Sequence, residues 1–183
     1  MDRLRIEAIA SFEKLMGKVE RDGMSDLMEY IRESDFYIAP ASTKYHGAYT
    51  GGLLYHSLNV MRALFYKYEN EKIWKERLKN TPEDSIVLTA LLHDVCKIDY
   101  YEFTPYKNEW RVNESLPLGH GEKSVIIIQD YIKLTEEEKL AIRWHMGAYV
   151  GQQDWKNYGA AIDLYPLVLA LHEADMEASR FLD

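Results

Sequence analysis

The most constraining feature of this sequence is a helix, predicted from Pro82 to about Val95, that is apolar on every side. Its apolar residues are Ile86, Val87, Leu88, Ala90, Leu91 and Leu92. A helix without a polar face has to be covered on all sides, which places it at the centre of a helical bundle. Pro82 stands at a position that the first turn of a helix tolerates.

Helical spacing of apolar residues predicts the rest of the bundle. The predicted helices are 3–17, 25–33 with Ser25 as its N-cap, 53–69, 72–79, 121–132, 135–146 and 161–181. The glycine-containing segment 35–51 predicts a loop. Segments 100–104 and 109–113 are rich in Tyr, Phe, Trp and Val and predict a short β-hairpin. We therefore expect an all-α fold with one small hairpin, as a single domain over 1–183 in which helices 3–34 pack on the remainder.

Charge and cysteine content limit the partners and the compartment. A net charge of −8 argues against long duplex binding, because phosphate backbones attract basic surfaces. Cys96 is the only cysteine, so an internal disulfide and a cysteine-only zinc site are excluded, which suits a reducing cytoplasm. The N-terminal residues lack a signal-peptide pattern, and no run reaches the roughly 18 apolar residues of a membrane span. We expect a cytoplasmic protein with no membrane partner.

A carboxylate interrupts the apolar face of the last predicted helix. The face follows a 4-3-4-3-4 spacing and consists of Leu164, Val168, Leu171, Asp175, Ala178 and Leu182. An isolated carboxylate in such a stripe is strongly unfavourable, so Asp175 needs a cation, a hydrogen-bond network or a proton. A buried structural acid is the alternative reading.

Four histidines also stand at or near apolar helix faces. His93 and the adjacent Asp94 end the apolar helix, while His56, His120 and His145 lie on other predicted helices. Each histidine alone is more often a core or surface residue than a ligand. Together with the two carboxylates they are hard to satisfy except around shared cations. Mixed imidazole and carboxylate ligands suit Mn, Ni, Fe, Co or Zn and exclude an all-oxygen calcium site.

The order of these residues resembles the signature of the HD superfamily of metal-dependent phosphohydrolases. The matching strings, in order, are GGLLYHSLNV, ALLHDVCK, LGHGEKS, WHMG and LHEADMEAS. The resemblance covers about residues 36–180, the expected metal-binding core. Within the superfamily, YHGAYTGGLLYHSL and LHEADMEAS look most like the HD half of bacterial 3′-to-5′ exoribonucleases of the YhaM type. Those proteins carry an additional OB-fold for single strands, and this sequence has no residues left over to form one. The resemblance therefore implies a stand-alone phosphohydrolase.

The resemblance implies one or two divalent metal ions, held by His56, His93, Asp94, His120, His145 and Asp175. Asp94 would bridge the two ions, and Lys97 would neutralise charge on the phosphate, so both are candidate catalytic residues. The alternative for Lys97 is a solvated cation at a helix C-terminus. Two departures from the superfamily pattern are Cys96, in place of a common glycine, and Met146, in place of a histidine. The second departure bears on how the substrate or leaving group is held.

Substrate-binding candidates lie in the loop before the first predicted ligand. His46, Tyr45 and Tyr49 form a candidate wall, since the neighbouring glycines permit close approach of the backbone. A packed aromatic loop is an equally good interpretation. Lys97 and Arg143 are candidates for binding phosphate, although charged residues on helices are usually only solvated.

We expect hydrolysis of a phosphate ester in a nucleotide, or at a short single-stranded nucleic-acid end, through a mono- or binuclear metal site. Two alternatives remain open. One is a mixed-valent diiron oxygenase of the HD type, and the other is a non-catalytic nucleotide-binding module. A homo-oligomer is also left open.

Overall fold

The computed structural model describes residues 3–107, 109–113 and 117–183, and most of these residues are helical. Its α-helices are α1 (Arg3–Met16), α2 (Met24–Glu33), α3 (Gly52–Asn70), α4 (Lys72–Arg77), α5 (Glu83–Leu92), α6 (His120–Gln129), α7 (Glu136–Trp144), α8 (Trp155–Leu164) and α9 (Pro166–Glu177). Strands β1 (Tyr101–Thr104) and β2 (Glu109–Val112) pair antiparallel, with Tyr101 opposite Val112. The prediction of an all-α fold with one hairpin is confirmed; Asn108 of the predicted turn lies outside the described residues.

Helix α5 lies at the centre of the bundle, as its apolar sequence predicts. Every residue from Ser85 to Leu92 is buried, and α5 packs against α1, α3, α7 and α9. One hydrophobic cluster joins Phe12 of α1 to Leu171 of α9. Helix α5 ends three residues before the predicted end, because the chain tightens into a 3₁₀ turn at Val95–Lys97. Among the described residues, no helix combines the length and apolar composition that a bilayer crossing requires.

The prediction of Ser25 as an N-cap is wrong. Helix α2 begins at Met24, and its N-cap is Gly23, which has a φ of 84° and provides no side-chain cap. Glycine is needed there because this left-handed conformation disfavours other residues. A Cβ atom at Gly23 would also lie 2.0 Å from the carbonyl oxygen of Tyr131.

The prediction of one helix over 161–181 is also wrong. The chain bends at Tyr165, which is extended (φ −136°, ψ 107°), and Pro166 begins α9. The residue before a proline disfavours helical geometry, so α8 has to end there. Leu164 therefore belongs to α8 and is 67% exposed, and Leu182 is 44% exposed. The apolar stripe around Asp175 extends only from Val168 to Ala178.

Beyond α9 the chain forms a π-helical turn over Ala178–Leu182. Such wide turns are rare, and those that occur often lie at functional sites. This turn brings Asp183 back to α3, where the Asn59 amide donates to Asp183 Oδ1 at 2.9 Å and to the Leu182 carbonyl at 3.1 Å.

A buried ion-pair network joins the N-terminal ends of α5 and α7. Arg21 donates to both carboxylate oxygens of Glu138, at 2.6 and 2.7 Å, and to Asp84 Oδ2 at 2.9 Å. Glu138 is fully buried and also accepts from the Ser85 hydroxyl at 2.6 Å and the Thr135 amide at 2.8 Å. The network fixes the spacing of two helices that carry candidate ligands at their opposite ends.

Candidate metal centre

The C-terminal ends of α5 and α7 meet the N-terminal part of α3 and the C-terminal part of α9 in the interior of the bundle. His93 follows α5 and His145 follows α7 as C-cap residues, whereas His56 lies within α3. The three histidines are at most 1% exposed, and Asp94 is 4% exposed. Asp175 comes from α9, with a side chain 14% exposed. Four helices therefore bring imidazoles and carboxylates to one buried point.

The first group of potential ligand atoms consists of His56, His93 and Asp175, whose atoms lie within 4.8 Å of one another. His56 Nε2 is 3.3 Å from His93 Nε2 and 3.1 Å from Asp175 Oδ1. His93 Nε2 lies 3.9 Å from the same carboxylate oxygen. Two nitrogens and one oxygen thus face a common centre.

The second group shares His93 and adds Asp94 and His145, also within 4.8 Å. Asp94 Oδ2 is 3.5 Å from His93 Nε2, and Asp94 Oδ1 is 3.5 Å from His145 Nε2. Because its two oxygens face different imidazoles, Asp94 lies between two halves of the site.

Backbone carbonyls orient two of the rings. His93 Nδ1 donates to the Ala90 carbonyl at 2.9 Å, and His145 Nδ1 donates to the Ile142 carbonyl at 2.7 Å. A carbonyl only accepts, so in the neutral ring the lone pair is on Nε2, which faces the site. His145 Nε2 is buried and has no hydrogen-bond partner among the described residues. A lone pair buried beside a carboxylate is satisfied by a proton or by a bound cation, and this set of imidazoles and carboxylates fits a divalent transition metal.

Lys97 provides the positive charge at this site. Its Nζ lies 2.6 Å from Asp94 Oδ2, and the residue is only 7% exposed. Burial raises the pKa of Asp94, but Lys97 and His93 outweigh it and hold that pKa well below its usual range. Burial lowers the pKa of Lys97, but the charge of Asp94 outweighs burial and raises that pKa above its ordinary value. Both groups are therefore ionised at neutral pH.

His56 is held between two carboxylates. Its Nδ1 donates to Asp183 Oδ2 at 2.7 Å, while Nε2 faces Asp175. Burial lowers the pKa of His56, but the hydrogen bonds to Asp175 and Asp183 outweigh burial and raise it to about 9. Asp183 therefore fixes the ring from the side away from the other candidate ligands.

His120, the remaining predicted ligand, belongs to none of these groups. Its Nδ1 lies 3.5 Å from Cys96 Sγ, and its ring is 5.6 Å from the Tyr100 ring. Burial lowers the pKa of His120, so its imidazole is neutral at neutral pH. The structure thus places five of the six predicted ligands in the two groups that share His93, and His120 beside them.

Residues 53–175 match the family model described as "HD domain". The chain belongs to the HD-domain family. Comparison with curated proteins finds no match, and neither does comparison with solved structures. Membership confirms the HD-superfamily prediction, and proteins of this family are generally hydrolases that bind divalent metals. The narrower likeness to the YhaM type stays a prediction.

In this HD domain a cavity of about 620 Å³ adjoins Asp175. His46 and Tyr45 from the predicted wall line it, but Tyr49 does not; the Tyr49 ring instead lies 6.2 Å from the Tyr55 ring. Lys97 does not line this cavity; it is buried in its ion pair with Asp94.

Arg143 is another substrate-binding candidate that the structure places away from the cavity. Its guanidinium forms an ion pair with Glu122 at 2.5 Å and lies 4.0 Å from the Trp144 ring centroid. The charge of Arg143 is therefore already compensated by Glu122 of α6.

Several residues of the HD-domain site are not apparent from the sequence. The remaining cavity residues are Met146, Tyr149, Met176, Ser179 and Arg180. Only Met146 carries a sequence signal, as the departure from a common histidine. Arg180 reads as a solvated cation near a helix end, and Asp183 reaches His56 only because of the π-helical turn. These residues come together only in the folded chain.

Proposed function

We propose that this protein is a metal-dependent phosphohydrolase that cleaves a phosphate ester of a nucleotide, or at the end of a short single-stranded nucleic acid. The observation that carries the proposal is His145 Nε2, which is buried beside Asp94 in an imidazole–carboxylate cluster and has no hydrogen-bond partner in the described part of the chain. The proposed ligands are His56, His93, Asp94, His120, His145 and Asp175. Mn, Ni, Fe, Co and Zn all suit this donor set.

When bound, a divalent transition metal ion supplies Lewis acidity, which activates water and polarises a phosphoryl group. The protein's own residues set the geometry and the charge. Asp94 presents one oxygen toward His93 and the other toward His145, which suits a bridging ligand. Lys97 keeps a fixed cation against Asp94, and preorganised positive charge stabilises the charge that develops on a transferring phosphoryl group.

The charge of the chain and the size of the cavity favour a small substrate. The chain has a net charge of −8, so it offers little long-range attraction to a nucleic-acid polymer. The cavity beside Asp175, at about 620 Å³, is in the size range of small-molecule pockets. His46 lines that cavity and is a candidate contact for the substrate.

The test is release of inorganic phosphate from a panel of nucleotides and short oligonucleotides, with Mn²⁺, Ni²⁺, Co²⁺ or Mg²⁺ added. We expect turnover in wild type, and its loss in Asp94→Ala and His93→Ala variants that remain folded by circular dichroism. Asp163→Ala, on the exposed side of α8, is the matched carboxylate control and should stay active.

Two outcomes would contradict the proposal. Two irons per chain, oxygen consumption and no phosphate release would indicate the diiron oxygenase instead. Nucleotide binding by metal-loaded protein, without turnover of any substrate in the panel, would indicate a non-catalytic binding module.

A further inference from the structure

The cavity beside Asp175 combines aromatic, thioether and cationic side chains. Three segments that are distant in sequence contribute to it: Tyr45 and His46 from the loop before α3, Met146 and Tyr149 after α7, and Met176, Ser179 and Arg180 from the end of α9 and the π-helical turn. Asp175 belongs both to this cavity and to the first ligand group. A molecule reacting at the metal centre would therefore extend into this cavity.

Two tyrosine rings stand at the cavity with much of their surface in solvent. Tyr45 is 85% exposed and Tyr149 is 62% exposed. Aromatic faces of this kind bind flat π systems, and each base–aromatic stack contributes substantially to binding. Met146 and Met176 add polarizable thioethers, which adapt to the faces and edges of aromatic rings. The lining suits a planar heterocycle better than a sugar or an extended peptide.

Local hydrogen bonds fix the backbone at Tyr45 and the hydroxyl of Tyr149. The Ser42 hydroxyl donates to the His46 carbonyl at 2.7 Å and accepts from the Tyr45 amide at 2.9 Å, which closes the turn below Tyr45. Arg180 Nη2 donates to the Tyr149 hydroxyl at 3.3 Å. A surface ordered before binding loses less entropy when a ligand arrives.

Arg180 adds an available positive charge. Among the described residues it forms no ion pair, and its one side-chain hydrogen bond goes to the neutral Tyr149 hydroxyl. Arg143, by contrast, is paired with Glu122. In a chain of net charge −8, a cation without a carboxylate partner beside the candidate ligands is suited to an anionic group of the bound molecule.

We propose that this cavity is the nucleoside subsite of the active centre, in which the base stacks on Tyr45 and Tyr149 and Arg180 contacts a neighbouring phosphate. The proposal rests on the proposed phosphohydrolase function and deepens it, because it makes the leaving group a nucleoside. It also separates the residues that bind the base from those that bind the metal.

The experiment measures binding of adenosine and cytidine, with ribose as the base-free probe, to metal-loaded protein by saturation-transfer NMR. These nucleosides carry no phosphate ester, so phosphate release cannot consume them. We expect both nucleosides to bind and ribose not to bind. Tyr45→Ala and Tyr149→Ala should each weaken nucleoside binding by about 5- to 100-fold, while Tyr149→Phe should retain it because the ring remains.

Tyr106→Ala is the matched control, because Tyr106 is 80% exposed and lies at the hairpin turn. It should leave nucleoside binding unchanged. Absence of nucleoside binding in wild type, equal binding of ribose, or unchanged binding in both tyrosine-to-alanine variants would overturn the subsite.

Hydrolysis of p-nitrophenyl phosphate, measured in parallel, separates the two proposals. Phosphate release from that ester without nucleoside binding would overturn the subsite and leave the phosphohydrolase standing. Tyrosine-dependent nucleoside binding without phosphate release from any ester would support the subsite as a nucleoside-binding site and contradict the phosphohydrolase.

Discussion

His56 Nδ1 lies 2.7 Å from Asp183 Oδ2, and this contact joins a candidate metal ligand to a residue outside the ligand groups that share His93. The carboxylate accepts the Nδ1 proton, which keeps Nε2 directed at His93 and Asp175. Asn59 holds the other oxygen of Asp183 at 2.9 Å. A hydrogen-bonded pair thus sets the orientation of His56 from behind.

Removal of this contact should weaken metal binding. Partners behind metal-ligating histidines typically account for about 10- to 100-fold in affinity, so Asp183→Ala should raise the dissociation constant for Mn²⁺ by that factor. Asp183→Asn keeps a carbonyl acceptor and should lose less. The measurement is competition with a metal chelator, with Asp163→Ala as the exposed control. An unchanged constant in Asp183→Ala would show that His56 needs no such support.

Lys97→Ala should retain metal but lose phosphate release. Loss of a preorganised electrostatic group costs on the order of 10²–10³ in turnover, and Lys97→Arg should lose less because it keeps the charge. The measurements are metal content and the kcat for the best substrate in the panel. Lys67 is a matched buried lysine, 5% exposed and paired with Glu177 at 2.6 Å. Lys67→Ala should change stability and leave kcat unchanged; an equal loss of kcat in both variants would refute a specific role for Lys97.

His93 and His120 should differ in their effect on metal content. His93 belongs to both buried groups that face the site, whereas His120 belongs to neither. His93→Ala should therefore abolish stable binding, while His120→Ala should leave at least one ion per chain. Elemental analysis after loading with Mn²⁺ or Ni²⁺ and gel filtration gives both values. Complete loss of metal in His120→Ala would mean that His120 is indispensable to the whole centre.

Glu138 should make the stability of the bundle depend on pH. Burial raises its pKa, but Arg21, Ser85 and the Thr135 amide outweigh burial and lower it from the ordinary value of 4.5. A lowered folded-state pKa stabilises the protein above about 4.5, and this contribution is lost as the pH falls through the folded-state pKa. Glu138→Gln should therefore cost on the order of 3 kcal/mol at pH 7, and the difference should shrink in acid.

Urea unfolding of wild type and Glu138→Gln at pH 7 and at pH 3 checks this prediction. Glu136→Gln, an exposed change in the same first turn of α7, is the control and should leave the free energy of unfolding nearly unchanged at both values. A wild-type advantage over Glu138→Gln that persisted undiminished at pH 3 would refute the assigned charge effect.

Sequence patterns predicted correctly the elements whose structure depends mainly on residues close in sequence. The apolar run of α5 and the aromatic segments of the hairpin needed no distant partner to be recognised. The spacing argument for the last helix failed at Leu164 because it continued a helical pattern through Pro166. The proline was visible in the sequence, and its effect on Tyr165 sets the true boundary.

The residues of the site likewise divide into those that the local sequence reveals and those that it does not. His93 and Asp94 stand out because they end a wholly apolar helix, and Asp175 stands out within an apolar stripe. Tyr149 and Arg180 carry no such contrast, since an aromatic or a cation near a helix end is ordinary. Their significance depends on a cavity assembled from three distant segments, which periodicity cannot reveal.

The π-helical winding of Ala178–Leu182 determines where Asp183 lies. If the same five residues formed an ordinary α-helix, Asp183 would be rotated by roughly a quarter of a turn around the axis, because an α-helix turns further per residue than the wider π-helix. Its carboxylate would then face away from His56. The match to the family model ends at Asp175, so the winding of this segment lies outside the matched motif. A homologue can therefore carry the whole motif and lack this support for its first histidine.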